Sequence, residues 1–130
     1  MTKETKFMAG DEFITHDELI RAIVKPGQSI IDGLTPQKAD YLHMAVGVAG
    51  EAGELLDAIK KRAIYGKDLD RENVIEELGD IEFYVGRIRQ LVGVSRDEVL
   101  RFNVAKLATR YAGLKYSDKA AQERADKKGE

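Results

Sequence analysis

Cysteine is absent from this 130-residue chain. That excludes a disulfide framework, a thiolate nucleophile and any zinc or iron–sulfur site built on sulfur. Histidine is scarce, with only His16 and His43, so a His-rich metal site is starved as well. Any metal must be held by oxygen. Proline occurs only at positions 26 and 36, which leaves the rest of the chain free to be helical. No long apolar run exists, which excludes a membrane span. The opening MTKETKFMAG has no apolar signal core, and the expected location is the cytoplasm. Charge of one sign is missing too. Lys and Arg number 21 against 23 Asp and Glu, a net of -2, which argues against a protein that wraps nucleic acid by bulk electrostatics. The length fits one domain with tails, and the 43% hydrophobic content suffices for a core.

What is present is helical pattern. Residues 1–14 read as a mobile arm without useful period, 15–112 as one all-α domain, and 113–130 as a charged tail with little to bury. Thr15 with Glu18 has the capping-box form and opens a short helix that Pro26-Gly27 stops. Residues 28–34 read as a connector. Thr35-Pro36 starts a long helix running to about position 65, about 30 residues or roughly 45 Å. Its apolar side chains wrap more than one face, which implies burial on several sides, in so small a chain by a second subunit. Asp70 caps a helix over 71–92, in which Val74, Leu78, Ile81, Val85, Ile88 and Val92 form a bundle seam. Ser95 with Glu98 opens the next, to about position 112, with a core stripe of Leu100, Val104, Leu107 and Tyr111. No strand is evident. The expected architecture is an antiparallel bundle of about four helices, completed by oligomerisation.

Glu51 and Glu54 lie three apart on the second of these patterns, and Glu77 and Asp80 three apart on the third. Each pair projects from one helix face. A short connection makes the two helices antiparallel neighbours, and Glu51 shares a line with Met44, Val48 and Leu55. The four carboxylates therefore converge. Taken singly, either pair reads as a solvated face. Converging, they repel, and only a cation or raised pKa values relieve them. An all-oxygen site without His or Cys suits Mg²⁺, with Mn²⁺ as the other option. Gly47, Gly50 and Gly53 each cost about 1 kcal/mol relative to alanine in a helix, and their use is close approach by a helix or a ligand. Asn103, Lys106 and Arg110 form one polar stripe fit to grip phosphate oxygens, or else a solvated face. Lys60, Lys61 and Arg62 complement a helix dipole and offer help with polyphosphate. His43 reads as a core histidine, or a contact to base or phosphate. Phe83 and Tyr84 read as core, with Tyr84 also able to stack on a base. No glycine-loop phosphate motif is present.

With these residues laid out, GVAGEAGELLDAIKK (47–61), EELGDIEFYVGRI (76–88) and NVAKLATRY (103–111) together resemble the MazG-like all-α nucleoside triphosphate pyrophosphohydrolases. The similarity covers about 41–111, with a weaker echo in the ERADK of the tail. The family pattern is E-x-x-E, a spacer, then E-x-x-D. Some members carry a further Glu where this chain has Gly50.

The resemblance implies Mg²⁺-dependent cleavage of the α–β phosphoanhydride of a nucleoside triphosphate to the monophosphate and pyrophosphate. It also implies metal ligation by Glu54, Glu77 and Asp80, and Glu51 as ligand or as the base that orients water. Asn103, Lys106 and Arg110 would hold phosphate, with Tyr84, Lys61 and His43 as further substrate contacts. A homodimer or homotetramer is implied, acting in nucleotide pool control or house-cleaning. Rival readings are a related pyrophosphohydrolase acting on phosphoribosyl-ATP or an alarmone, and a non-catalytic helical dimerisation module. A di-iron bundle is discarded because neither histidine follows a Glu by three.

Overall fold

The computed structural model describes residues 3–127, so the outermost residues of the expected arm and tail lie outside it. The chain divides into two compact units at Pro36/Gln37.

The first unit corrects the sequence reading twice. Where an arm without strands is expected, β1 (Lys6–Ala9) and β2 (Glu12–Thr15) form an antiparallel hairpin, Lys6 opposite Thr15 and Ala9 opposite Glu12. Gly10 takes φ +64 at the first turn position, the conformation a two-residue hairpin loop requires. KFMA shows no alternation because all four of its residues are exposed, and without a buried face there is no period to read. The capping box is present as expected. Thr15 Oγ1 accepts from the Glu18 N–H at 3.1 Å, and Glu18 Oε2 accepts from the Thr15 N–H at 2.8 Å. It opens α1 (His16–Ile23). The expected connector is itself helical: α2 spans Gly27–Gly33, braced by a Gln28 to Asp32 side-chain bond of 2.8 Å, one helical turn apart.

The second unit is all-helical. It contains most of α3 (Pro36–Ala63), then α4 (Arg71–Val92), α5 (Arg96–Arg110), a 3₁₀ turn at Ala112–Leu114, α6 (Asp118–Glu123) and a final 3₁₀ turn at Ala125–Lys127. The boundary chemistry is local. Asp70 accepts from the Asn73 N–H at 3.0 Å, Ser95 Oγ from the Glu98 N–H at 3.1 Å, and Gly93 ends α4 at φ 80. Helices α3 and α4 run antiparallel. Tyr41 donates its hydroxyl to the Leu91 carbonyl at 3.0 Å, Arg87 donates to Asp40 at 3.1 Å, and Gly47 faces the Tyr84 ring. Positions rising along α3 thus meet positions falling along α4.

The buried hydrophobic side chains among the described residues are Met44 and Ala58, both on the α3 line that also carries Val48, Glu51 and Leu55. The expected seam on α4 is only half sunk, since Leu78 and Val92 are exposed. On α5 the expected core stripe is not buried in this chain: Leu100, Val104 and Leu107 are exposed. That helix packs instead against the C-terminal turns and α6. Leu42, Val46, Leu56 (68% exposed) and Ile59 lie open on α3, so its other apolar faces have no cover among the described residues. Among the described residues no helix is long and apolar enough to cross a membrane.

Candidate active site

The antiparallel register of α3 and α4 carries Glu51 into Glu77 and Asp80. One carboxylate oxygen from each lies within 4.8 Å of the others. Glu77 is 7% exposed and is the buried residue of α4. A carboxyl group holds the place where a helix–helix seam would put leucine. Glu51 Oε2 and Glu77 Oε2 are both buried without a hydrogen-bond donor. Two ionised carboxylates offer only acceptors, so the pair is incomplete until a proton or a cation stands between them.

The electrostatics agree. Glu77 is pushed up to about 7 from an ordinary 4.5, first by the Glu51 carboxylate, to which only a protonated Glu77 could donate, then by burial, then by Glu54. Like charges at this separation cannot both ionise cheaply. A hard divalent cation fits the donor set: all oxygen, three carboxylates, two oxygens otherwise unpartnered.

Glu54 does not join the three-oxygen cluster. It lies beside Glu77 and lines an open groove with Gly50, Gly53, Asp57, Asn73 and Glu77. The glycines divide by use. A Cβ on Gly47 would drive into the Tyr84 ring, whereas nothing stands within 4 Å of a Cβ on Gly50 or Gly53. Gly47 therefore lets the helices meet, and the other two leave the groove open. Sequence reasoning missed Asp57 and Asn73. Their signal was present, since Asp57 follows Glu54 by three and Asn73 precedes Glu77 by four, which puts them on the same helix faces.

Other expected contacts fall elsewhere. Tyr84 is half-buried over Gly47 and meets Phe83 edge to face at 5.3 Å. Phe83 itself is exposed rather than core. His43 is exposed, not a core histidine; a single helical position on a face without cover cannot bury it. Lys61 pairs with Asp57 at 3.0 Å, Lys60 lies over the Tyr65 ring at 5.5 Å, and Arg62 donates to the Lys67 carbonyl at 3.3 Å. These three serve the end of α3. Asn103 and Lys106 are exposed on α5, and Arg110 is held by Asp126 in the last 3₁₀ turn. The contacts of α5 run to the C-terminal segment, and the side-chain partner of this stripe is Asp126 rather than the acidic cluster.

No curated protein and no solved structure matches the chain. The family model described as the MazG nucleotide pyrophosphohydrolase domain matches residues 39–114. That stretch holds both acidic pairs, Gly47, Gly50 and Gly53, and the whole of α4 and α5. A match over more than half of the chain, on the helices whose carboxylates meet, assigns it: this chain belongs to the MazG nucleotide pyrophosphohydrolase family.

Proposed function

We propose that the chain is a divalent-metal-dependent hydrolase that splits the α–β phosphoanhydride of nucleoside triphosphates, releasing the monophosphate and pyrophosphate. The observation that carries the reading is the buried, donorless pair Glu51 Oε2 and Glu77 Oε2 beside Asp80. Glu51, Glu77 and Asp80 would hold Mg²⁺ or Mn²⁺, which when bound neutralises polyphosphate charge and lowers the pKa of water.

The chain's own residues supply the rest. With Glu51 tied to Glu77, Glu54 is the carboxylate open to the groove, and it accepts the proton of the attacking water. The water oxygen bonds to the α-phosphorus, the α–β bridging bond breaks, and pyrophosphate carries away the electron pair. Gly50 and Gly53 leave room for the phosphates against α3. Asn103, Lys106 and Arg110 hold phosphate oxygens from α5, where amide, ammonium and guanidinium share one stripe. The open apolar faces of α3 and α5 call for a second copy of the chain, as a homodimer or homotetramer. Such an enzyme acts on free nucleotides in the cytoplasm, in pool control or house-cleaning.

The test is pyrophosphate release from a panel of canonical, deoxy and modified triphosphates with Mg²⁺, for wild type, Glu54→Ala and Asp80→Ala. Turnover by wild type that both variants abolish supports the reading. Turnover indifferent to both substitutions overturns the site, and no turnover on any nucleotide overturns the activity.

A further inference from the structure

Arg110, the last residue of α5, is already gripped. Its Nε donates to Asp126 Oδ1 at 2.7 Å and its Nη2 to Oδ2 at 3.1 Å. The Asp126 side chain is 3% exposed and that of Arg110 17%. This is a built, bidentate pair rather than a surface encounter. Asp126 lies outside the stretch 39–114 that the family match covers, in the ERADK segment (123–127) where the sequence echoes the family more weakly.

Reaching Arg110 takes a folded return of the chain. The Tyr111 and Tyr116 rings meet at a tilt of 35° with centroids 5.7 Å apart, and Tyr116 donates its hydroxyl to Asp118 at 2.6 Å. Ser117 caps α6 by accepting from the Ala120 N–H at 3.0 Å. Leu114 and Arg124 hold left-handed backbone, at φ 56 and 47. Non-glycine residues keep that conformation only where their surroundings impose it. The charged tail, expected to be loosely held, is here a strap that Asp126 ties to Arg110.

A guanidinium has five N–H donors, and Asp126 engages two of them on the Nε side. Asp126 also lines one groove with Asn103 and Lys106, the two polar residues that share the Arg110 stripe. A carboxylate beside a phosphate-binding stripe lowers its positive charge. A site working by attraction alone would do better without it, so the benefit of Asp126 lies in orientation.

We infer that Asp126 is a positioning residue for substrate: it acts through Arg110, presenting an oriented guanidinium to a phosphoryl group of the nucleotide beside Lys106. The inference rests on the pyrophosphohydrolase reading and extends the binding machinery into the C-terminal strap. A long side chain that is already fixed loses little rotamer freedom on meeting phosphate.

The test is steady-state kinetics on a triphosphate that wild type turns over with Mg²⁺. Asp126→Asn is expected to raise KM about five- to tenfold, the scale of one re-mobilised side chain, with kcat within about twofold. Asp126→Glu is expected to fall between. In an Arg110→Ala background, Asp126→Asn should add nothing to KM, because its effect passes through the arginine.

An unchanged KM with a lower melting temperature overturns the inference and leaves a mere strut. A lower KM overturns it too, since the carboxylate would then be competing with phosphate. Should Asp126→Asn fail to fold, Arg110→Asp combined with Asp126→Arg keeps an ion pair but moves the guanidinium: a raised KM supports positioning, a wild-type KM refutes it. If wild type turns over no nucleotide, the underlying reading fails and this one with it. Turnover by wild type with an unchanged KM in Asp126→Asn leaves the underlying reading standing and refutes only the positioning role.

Discussion

Two buried carboxylates, one between α3 and α4 and one at the end of α5, sit in opposite electrostatic settings. Glu77 meets other acids, has an oxygen without a donor, and is pushed up to about 7. Asp126 meets a guanidinium through both oxygens and is held below its ordinary 3.8 by that pairing. A carboxylate whose counter-charge is part of the chain fixes geometry. One whose counter-charge comes from outside marks a place for a cation. Burial alone does not separate the two; the partner list does.

The comparison breaks most visibly at Glu77. Glu77→Gln keeps the shape and removes the charge, so pyrophosphate release is expected to fall at least about 100-fold, the scale of several kcal/mol of charge stabilisation. The same change should remove Mn²⁺ binding by calorimetry. Asp57→Asn, which touches the groove but not the cluster, should leave Mn²⁺ binding in place.

Stability should respond to pH with opposite sign at the two sites. Between 4.5 and about 7 the native state holds a proton on Glu77 that the unfolded state has lost. The unfolded state then binds fewer protons, so metal-free stability falls as pH rises through that window. Thermal melts in chelator should show the decline, Glu77→Gln should flatten it, and Mg²⁺ added above pH 7 should recover it. For Asp126 the contribution is present above 3.8 and lost as pH falls below it. Asp126→Asn should therefore blunt the acid-side loss while leaving the neutral-side decline intact.

Smaller effects probe the contact between α3 and α4. Gly47→Ala puts a methyl into the Tyr84 ring. Overpacking of this kind costs about 1–3 kcal/mol, which a shift of the urea midpoint would record, whereas Gly50→Ala meets open space and should gain helix propensity instead. Smallest is Arg87→Ala. Its pair with Asp40 is more than 40% exposed on both sides, and loss of such a pair costs at most about 1 kcal/mol.

Much of this was legible in the chain because it is local. Asp70, Ser95 and Gly93 bound α4 and α5 where capping chemistry puts them, and the line Met44–Val48–Glu51–Leu55 turns inward as helical spacing requires. The hairpin was not legible, since β1 is exposed throughout and β2 sinks only the adjacent Ile14 and Thr15, so neither strand alternates. Nor was the helix over 27–33, where an apolar stretch between Pro26 and Pro36 reads equally well as a connector.

The chain by itself determined that it is all-α, that without Cys and nearly without His any metal site in it must be built from oxygen, and that its acids recur at a spacing that gathers them on helix faces. Only the tertiary structure decided which acids meet. The α3–α4 register sinks Glu77 against Glu51 and Asp80 and leaves Glu54 at the groove, and the C-terminal return brings Asp126 to Arg110 across a separation of 16 residues. Spacing along one helix fixes a face. Pairing between elements depends on register and chain reversal, which are set by packing and backbone geometry that no single segment encodes.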